Sequence, residues 1–366
     1  MVPDAGNAII LNGVKVLSII IAILLFSVIV LFHEFGHFLL AKKCGVEVLE
    51  FSLGFGPRLL SHVWGRTRYS IKLLPLGGSC MMKGEDLEDY SEGSFYGKSV
   101  WQRMLVIAAG PVFNFLLAWF FSVILVLNAG VDHPVVLGVS EGGAAAQAGI
   151  EAGDMITGIN GKKILLFREI SDYVYYHQDR LGSGEPVKVT WEHEGEKKQA
   201  DLIPEKADDG RYILGINGSS NYRYRVSVPK ALYYALAETR YWISMTFDSL
   251  RMLFTGQAAV SDLSGPIGVV EAISDTVEET KSDGAFYVFL NMLSMAVLLS
   301  ANLGVINLLP IPALDGGRLL LLLVEAVRRK RNNPQIEMRI TFAGIIFLLL
   351  LIAVVMFNDI RRLIMP

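Results

Sequence analysis

The amino-acid sequence predicts an α-helical membrane protein, with four transmembrane helices and one inserted domain that contains β-strands. Mean hydropathy is +0.43 over 366 residues. Only 19% of the residues are charged, compared with about 25% in an average globular chain. The apolar residues are concentrated in four blocks, and a bilayer-spanning helix needs roughly 20 such residues. This distribution excludes a plain soluble enzyme.

The four apolar blocks differ in length but are similar in composition. They span residues 16–41, 104–131, 285–314 and 340–358, which are 26, 28, 30 and 19 residues long. Only the first contains an acidic residue, within the group His33, Glu34 and His37. That block lacks the charged leader and the small-residue cleavage site of a signal peptide, so we expect it to remain in the protein as a span.

Lysine and arginine are distributed unequally among the connections between the blocks. Nine of them lie in residues 42–103 and five in residues 325–339, whereas Lys15 is the only one before the first block. The positive-inside rule therefore predicts that both basic connections are cytoplasmic. Both termini and the long segment 132–284 would lie outside, although two arginines after the last block oppose this orientation weakly.

Charge and cysteine content exclude two other classes of protein. The net charge of −3 gives no reason to expect a nucleic-acid partner. Cys44 and Cys80 both lie in the predicted cytoplasmic connection, where thiols normally stay reduced. The chain is therefore not a disulfide-stabilised scaffold.

Residues 132–284 have the composition of a soluble domain. They contain 23 acidic and 15 basic residues, which is a net charge of −8. The dipeptide Asn160-Gly161 predicts a tight hairpin turn. Short strands are predicted at residues 135–139, 154–162, 187–191 and 212–216, and short helices at 144–148 and 169–178.

Part of this segment resembles a PDZ domain. Residues 140–150, followed by Gly153-Asp154-Met155-Ile156, are similar to the run SPAAxAGLxxGDxI of that family. The order of the elements resembles the permuted bacterial form. The resemblance implies that an extended peptide end can add as a strand to a sheet edge. A generic small β-rich domain is the alternative.

Residues 229–257 show an aromatic, amphipathic pattern. Tyr233, Trp242 and Phe254 are interleaved with Lys230 and Arg240. A helix that lies on the membrane surface fits this pattern. A helix that packs on its own domain fits it equally well, so the sequence leaves both possibilities open.

The run His33-Glu34-Phe35-Gly36-His37 predicts a metal site. Residues four apart on a helix project from the same face. Two histidine nitrogens placed in this way can bind one Zn²⁺ at about 2.0–2.1 Å. Glu34 is displaced around the helix, where it is suited to act as a general base toward a water molecule.

The position of this run within an apolar block strengthens the prediction. A carboxylate near the bilayer centre costs about 2.5–3.5 kcal/mol on insertion scales, so ionisable residues in a span usually have a function. A structural polar cluster and the proton relay of a transporter are the two alternatives.

Two histidines leave a catalytic zinc one protein ligand short of the usual three. Asp315 is the acid that directly ends the third apolar block, after Pro310 and Pro312. The prolines prevent a regular helix and release backbone groups that need a polar cavity. Asp315 is therefore the predicted third ligand.

The two motifs together resemble the paired signature of site-2 proteases, the intramembrane zinc metalloproteases. The matching residues are His33, Glu34 and His37 in the first motif, and Asn307, Pro310, Pro312, Leu314, Asp315 and Gly316 in the second. Gly110 and Asn114 match the family's G-x-x-x-N element. Residues 69–84 resemble the membrane-re-entrant β-hairpin that these enzymes carry beside the active site.

The resemblance implies a zinc-dependent peptidase that cleaves transmembrane segments. Zn²⁺ would be held by His33, His37 and Asp315, with Glu34 as the catalytic base. Asn302 and Asn307 would bind the substrate backbone. The implied substrates are single-span membrane proteins of the anti-sigma factor type and remnant signal peptides, and the implied location is the bacterial cytoplasmic membrane. Enterobacterial relatives have two tandem PDZ domains, whereas this sequence has one.

The complete predicted fold is a membrane α-helical bundle of four transmembrane helices, with a re-entrant β-hairpin and an inserted extracytoplasmic PDZ domain of the α+β class. The spans are residues 1–41, 104–131, 285–324 and 340–366. The remaining segments are a cytoplasmic loop with the hairpin (42–103), the PDZ domain (132–218), an amphipathic helical segment (219–284) and a basic cytoplasmic loop (325–339).

Two other functions fit the sequence less well than a peptidase does. A membrane-tethered PDZ receptor with a purely structural metal site would have no use for a carboxylate at Glu34. An ion-coupled transporter is disfavoured, because four spans without internal repeats do not match the repeat symmetry of such proteins.

Overall fold

A computed structural model describes residues 5–85, 89–218, 223–259 and 263–364 of the chain. The chain divides into two compact units. The first unit, here the membrane unit, comprises Met1–Phe121 and Leu253–Pro366. The second comprises Ser122–Met252 and is called the external unit here, after its predicted position outside the membrane.

The described elements follow one another along the chain in a simple order. The helices are α1 (Ala5–Lys43), α2 (Val100–Ala129), α3 (Ala144–Gln147), α4 (Arg168–Tyr176), α5 (Gln178–Gly182), α6 (Val228–Phe254), α7 (Pro266–Thr280), α8 (Ala285–Asn307), α9 (Asp315–Arg328) and α10 (Pro334–Ile364), with a 3₁₀ turn at Lys281–Asp283. The strands are β1 (Val48–Trp64), β2 (Thr67–Met82), β3 (Gly138–Val139), β4 (Met155–Ile159), β5 (Lys162–Lys163), β6 (Val187–His193), β7 (Glu196–Leu202), β8 (Glu205–Lys206), β9 (Tyr212–Ile213) and β10 (Ile216–Asn217).

Four of the described helices are long and apolar enough to cross a membrane, one at each predicted block. The candidate spans are Leu17–Lys43, Val100–Ala129, Ala285–Asn307 and Gln335–Arg362. Two of the helices begin earlier than predicted, α2 at Val100 and α10 at Pro334. Both helices therefore include polar residues that lay outside the predicted spans.

The predicted third span, residues 285–324, is not one helix. Helix α8 ends at Asn307 and α9 begins at Asp315, with a non-helical connection between them. Pro310 and Pro312 lie in this connection, where they have no backbone N–H to donate to a helix. The break that the prolines predicted is therefore present, and it places Asp315 at a helix start.

The β-hairpin is larger than the predicted segment 69–84. It consists of β1 and β2, which turn between Trp64 and Thr67. Residues 69–84 therefore contribute mainly its second strand. The first strand was missed because it contains Gly54 and Gly56, which adopt positive φ angles and bend the strand.

The base of this hairpin packs against helices of the membrane unit. Val48, Cys80 and Met82 belong to one buried cluster with Ala41 of α1 and Ile107 of α2. Burial of these apolar side chains fixes the hairpin beside α2 and beside α1, the helix that carries the metal motif. The residues beyond Gly54 on β1 are exposed.

The external unit contains a four-stranded antiparallel sheet in the order β5-β4-β6-β7. The predicted turn at Asn160-Gly161 is present, with φ angles of 48° and 80°. These positive values are those that a type I′ turn requires. Strand β7 was not predicted because the run Glu196-Lys197-Lys198 lacks the alternation of a half-buried strand.

Helix α6 packs on its own domain, which is one of the two positions that its amphipathic sequence allows. Ala231 and Tyr241 of α6 are buried in a cluster with Val126, Val131 and Leu166 of the external unit. Other apolar residues of α6 remain exposed, among them Leu236 and Phe247. The small Ala231 permits the close approach of the helix to the domain.

A buried ion cluster joins three elements of the external unit. Arg168 at the start of α4 binds Asp132 at 2.5 Å and Glu238 of α6 at 2.9 Å. Both carboxylates are almost completely buried. Burial raises the pKa of Glu238, and the neighbouring Arg168 offsets part of that rise. The arginine therefore keeps two otherwise costly charges in the interior.

We expect Arg168→Met to destabilise the external unit by about 3–5 kcal/mol, because it leaves two buried carboxylates unpaired. Hydrogen exchange of residues 132–252 in the intact protein measures this loss. Arg211→Gln, which removes an exposed pair with Asp209, is the matched control and should change little. Equal exchange in the two variants would contradict the prediction.

The loss caused by Arg168→Met should also depend on pH. Without the arginine, the pKa of Glu238 in the folded state rises further above its unfolded value. Such a group contributes stability that is present below the unfolded pKa and is lost as pH rises through the folded pKa. The destabilisation should therefore be largest at neutral pH and shrink on acidification, and a pH-independent loss would exclude Glu238 as its source.

Candidate active site

Helices α1 and α2 approach closely where the histidine motif lies. A Cβ atom at Gly36 would overlap the carbonyl oxygen of Ala109, and one at Gly110 would overlap the rings of both His33 and His37. The absence of side chains at these two glycines allows the imidazoles to fit between the helices. Both histidines are consequently buried, each with 7% of its surface exposed.

Three ligand atoms converge at this point. His33 Nε2 and His37 Nε2 are 3.2 Å apart, and Asp315 Oδ2 lies 3.2 Å and 3.4 Å from them. Tetrahedral zinc with ligands at about 2.0–2.1 Å has neighbouring ligands about 3.3–3.4 Å apart. The triangle formed by the three atoms therefore matches one face of a zinc tetrahedron.

The hydrogen bonds of the two imidazoles indicate where their protons lie. His37 Nδ1 is 2.9 Å from the carbonyl oxygen of Val106, so Nδ1 carries the donated proton. His33 Nδ1 is 3.1 Å from the amide of Asn114, whose buried Oδ1 has no partner among the described residues. A 180° turn of this amide lets His33 Nδ1 donate to Oδ1.

In that arrangement both Nε2 atoms present lone pairs toward each other. Asp315 Oδ2 is also an acceptor, and it is buried without a hydrogen-bond donor among the described residues. Three converging acceptors repel one another unless a cation binds between them. The donor set of two imidazoles and one carboxylate is that of known catalytic zinc sites, so these residues fit Zn²⁺.

The connection between α8 and α9 presents Asp315 to the histidines. Ala313 adopts a φ of 80°, which is a strained conformation for a residue with a side chain. A Cβ atom at Gly316 would overlap the carbonyl oxygens of Leu308 and Leu309. A glycine at position 316 is therefore needed for the first turn of α9 to fold back against its own connection.

The three ligand residues line a cavity of about 310 Å³. Glu34 lines it and is half-buried, and strand β2 forms the facing wall, because a Cβ atom at Gly78 would lie 3.1 Å from Glu34 Cγ. The cavity is lined by His33, Glu34, His37, Gly78, Ser79, Cys80, Met82, Glu85, Ile107, Asn307, Ala313, Leu314, Asp315 and Arg318.

The two asparagines that the sequence predicts to bind substrate differ in their position relative to this cavity. Asn307, at the end of α8, lines the cavity as expected for a residue that contacts substrate. Asn302 is half-buried in α8 and is not among the described lining residues. Five helix positions separate the two asparagines, so they project from different sides of the helix.

Sequence reasoning missed an ion pair at the cavity wall. Arg318 of α9 binds Glu85, which follows the hairpin. Arg318 is one helical turn from Asp315, a spacing that could have indicated its place beside the metal ligands. No local pattern marks Glu85, because only the tertiary fold brings the end of the hairpin to α9.

We expect Asn114→Leu to weaken zinc binding by about 10–100-fold, because it removes the acceptor that orients His33. Zinc retention against a series of chelators measures the affinity. Ser122→Ala is the matched control, since it removes a buried hydroxyl of α2 that has no partner among the described residues. Unchanged affinity in Asn114→Leu would exclude the orienting role.

Comparisons with known proteins find zinc peptidases. A family model described as Peptidase family M50 matches residues 21–351. The zinc metalloprotease RasP of Bacillus licheniformis is 32% identical, over 94% of this chain and 99% of that protein. The regulator of sigma-W protease RasP of Bacillus subtilis is also 32% identical, with the same coverage of both chains.

Among solved structures, the PDZ domain of an SdrC-like protein from Listeria monocytogenes is 29% identical. The match covers 24% of this chain and 85% of that domain, with a TM-score of 0.20. The family match includes the positions of both metal motifs, and the RasP relatives extend over most of the chain. The chain therefore belongs to peptidase family M50, the site-2 protease family, and is a zinc metallopeptidase.

Proposed function

We propose that this peptidase hydrolyses peptide bonds within transmembrane segments of membrane proteins, with zinc held by His33, His37 and Asp315. The observation that carries the proposal is the triangle of three acceptor atoms, two of which belong to histidines on an apolar helix that is long enough to span a bilayer. A soluble substrate would have no need of a catalytic centre carried on such a helix.

The chemistry is divided between the metal and Glu34. When bound, Zn²⁺ acts as a Lewis acid that lowers the pKa of water and polarises a carbonyl group. Glu34 lies beside His33 and faces the same cavity. Its carboxylate takes a proton from the attacking water and delivers it to the leaving amine, as a general base and then a general acid.

A transmembrane helix must unwind before its backbone can be cleaved, because its carbonyl groups are hydrogen-bonded internally. Strand β2 passes the cavity at Gly78 and Ser79, opposite Glu34. We infer that the substrate adds to this strand in an extended conformation. The amide of Asn307, which lines the cavity, would bind the substrate backbone, whereas Asn302 does not line it.

The RasP relatives and the predicted topology support a proposal for the substrate class. The Bacillus subtilis relative is named a regulator of sigma-W protease. We infer single-span substrates of the anti-sigma factor type, together with remnant signal peptides. The enzyme would lie in the bacterial cytoplasmic membrane, with both termini and the external PDZ domain outside.

A membrane-tethered PDZ receptor is the alternative function. A structural metal site needs its ligands but not an additional carboxylate in the same cavity. Glu34 occupies that position, and the cavity beside it is large enough to admit an extended peptide backbone. These features favour the peptidase.

Glu34→Gln should abolish cleavage of a model transmembrane substrate and leave zinc bound, because the amide keeps the shape of the side chain but cannot accept a proton. Asp315→Ala should lose both zinc and activity, because it removes a ligand. Zinc content after dialysis and cleavage by the purified proteins distinguish the two variants. Activity within about tenfold of wild type in Glu34→Gln would exclude the general-base role.

The external domain should select substrates without taking part in hydrolysis. Replacing residues 132–218 by a short flexible linker should leave cleavage of an externally trimmed substrate unchanged. The same deletion should permit cleavage of a substrate that retains its bulky external domain, because the steric barrier is gone. Both substrates are compared in cells, and continued rejection of the untrimmed one would place the barrier elsewhere.

A further inference from the structure

The outer half of the β1–β2 hairpin, residues 55–74, has a feature that catalysis does not use. Its large apolar side chains are exposed: Trp64 is 77% exposed and Leu60 is 67% exposed. In the hairpin register Leu60 pairs with Ile71, and Trp64 pairs with Thr67. Paired residues share a face of a sheet, so Leu60, Ile71 and Trp64 lie on one largely apolar face, with the pair His62 and Tyr69 between them.

This apolar face continues into the first membrane-spanning helix. The ring of Tyr69 lies 6.5 Å from that of Trp64 and 6.0 Å from that of Phe38, which belongs to α1. Phe38 is five residues from the end of the candidate span Leu17–Lys43. The aromatic contacts therefore extend the apolar surface of the span onto the hairpin near the level where the span ends.

The opposite face of the hairpin carries positive charge. Val63 pairs with Arg68 on this face. A cavity of about 320 Å³ is lined there by Arg58, Arg66 and Arg68, with Leu49, Val63 and Met81 as its apolar walls. Residues 48–82 contain four basic residues and one acidic residue, a net charge of +3.

Glu50, the acidic residue that lines this cavity, is already paired with Arg58. Glu50 accepts two hydrogen bonds from Arg58, at 2.8 Å and 2.9 Å, and a third from Ser70. Arg66 is 82% exposed and lies 4.0 Å from Glu47, the limit of an ion pair. Within the described parts of the chain Arg68 makes no ion pair. Two guanidinium groups are therefore available to an anion.

We propose that the outer hairpin binds the phosphate headgroup of an anionic phospholipid at the bilayer surface. The apolar face with Trp64 contacts hydrocarbon, and the arginine cavity on the other face receives the headgroup. Arginine forms paired hydrogen bonds to phosphate oxygens, and tryptophan is favoured at the membrane interface. A bilayer satisfies both faces at once, whereas free phosphate would leave the apolar face in water.

Lipid contact can be measured with the intact protein in nanodiscs. Trp64 is one of five tryptophans, so its emission is the difference between wild type and Trp64→Phe. Quenching is compared between brominated phosphatidylglycerol and brominated phosphatidylcholine at equal mole fraction. We expect both lipids to quench Trp64 and phosphatidylglycerol to be preferred.

The double variant Arg66→Gln/Arg68→Gln should reduce this preference on the order of tenfold, because each basic residue near an anionic surface contributes to binding. The matched control, Lys188→Gln/Lys197→Gln, removes two exposed lysines from the external unit and should keep the preference. Zinc content tests whether the hairpin variant remains folded.

Three outcomes would overturn the proposal. Absence of quenching by either lipid would show that the Trp64 face does not contact the bilayer. Equal quenching by the two lipids, with folding intact, would exclude headgroup selection by the arginines. Loss of the preference on addition of inorganic phosphate would identify a site for the free anion instead of the lipid.

Discussion

The membrane unit depends on one electrostatic constraint, which is that three acceptor atoms converge within an apolar bundle. His37 donates from Nδ1 to the Val106 carbonyl, and His33 can donate from Nδ1 to Asn114 once that amide is turned by 180°, so both Nε2 atoms are left with lone pairs. Asp315 adds a carboxylate oxygen to the same point. Only a cation makes this arrangement favourable in a medium that cannot solvate the groups.

The backbone around the site is shaped to permit that convergence. Gly36 and Gly110 let α1 and α2 approach until the imidazoles fit between them. The prolines before Asp315 interrupt the helix, and Gly316 lets α9 restart against its own connection. In a membrane such non-helical backbone is tolerated where it lines a protein cavity, and here it lines the cavity of the zinc site.

The two halves of the hairpin have different surroundings. Its base is buried against α1 and α2, which holds Gly78 and Ser79 beside Glu34. Its outer half exposes large apolar side chains on one face and arginines on the other. Anchoring of the outer half at the bilayer surface would keep the inner strand edge at a constant position relative to the catalytic carboxylate.

The sequence by itself determined the elements whose signal is local. Four apolar blocks predicted four long helices, the spacing of His33 and His37 placed them on one helix face, and Asn160-Gly161 specified a turn. These features depend on neighbours a few residues away, which periodicity and turn chemistry describe well. The match of both metal motifs to one family also linked Asp315 to the histidines across almost the whole chain.

Only the tertiary structure decided the features that depend on distant contacts. The sequence did not reveal that α6 packs on the external unit, that Arg168 joins Asp132 to Glu238, or that Glu85 meets Arg318 beside the zinc ligands. Strand β7 was hidden because its charged residues obey no alternation, and β1 because glycines bend it. Partners far apart in sequence leave no local pattern, because their pairing is selected by burial and by the free energy of leaving a charge unpaired.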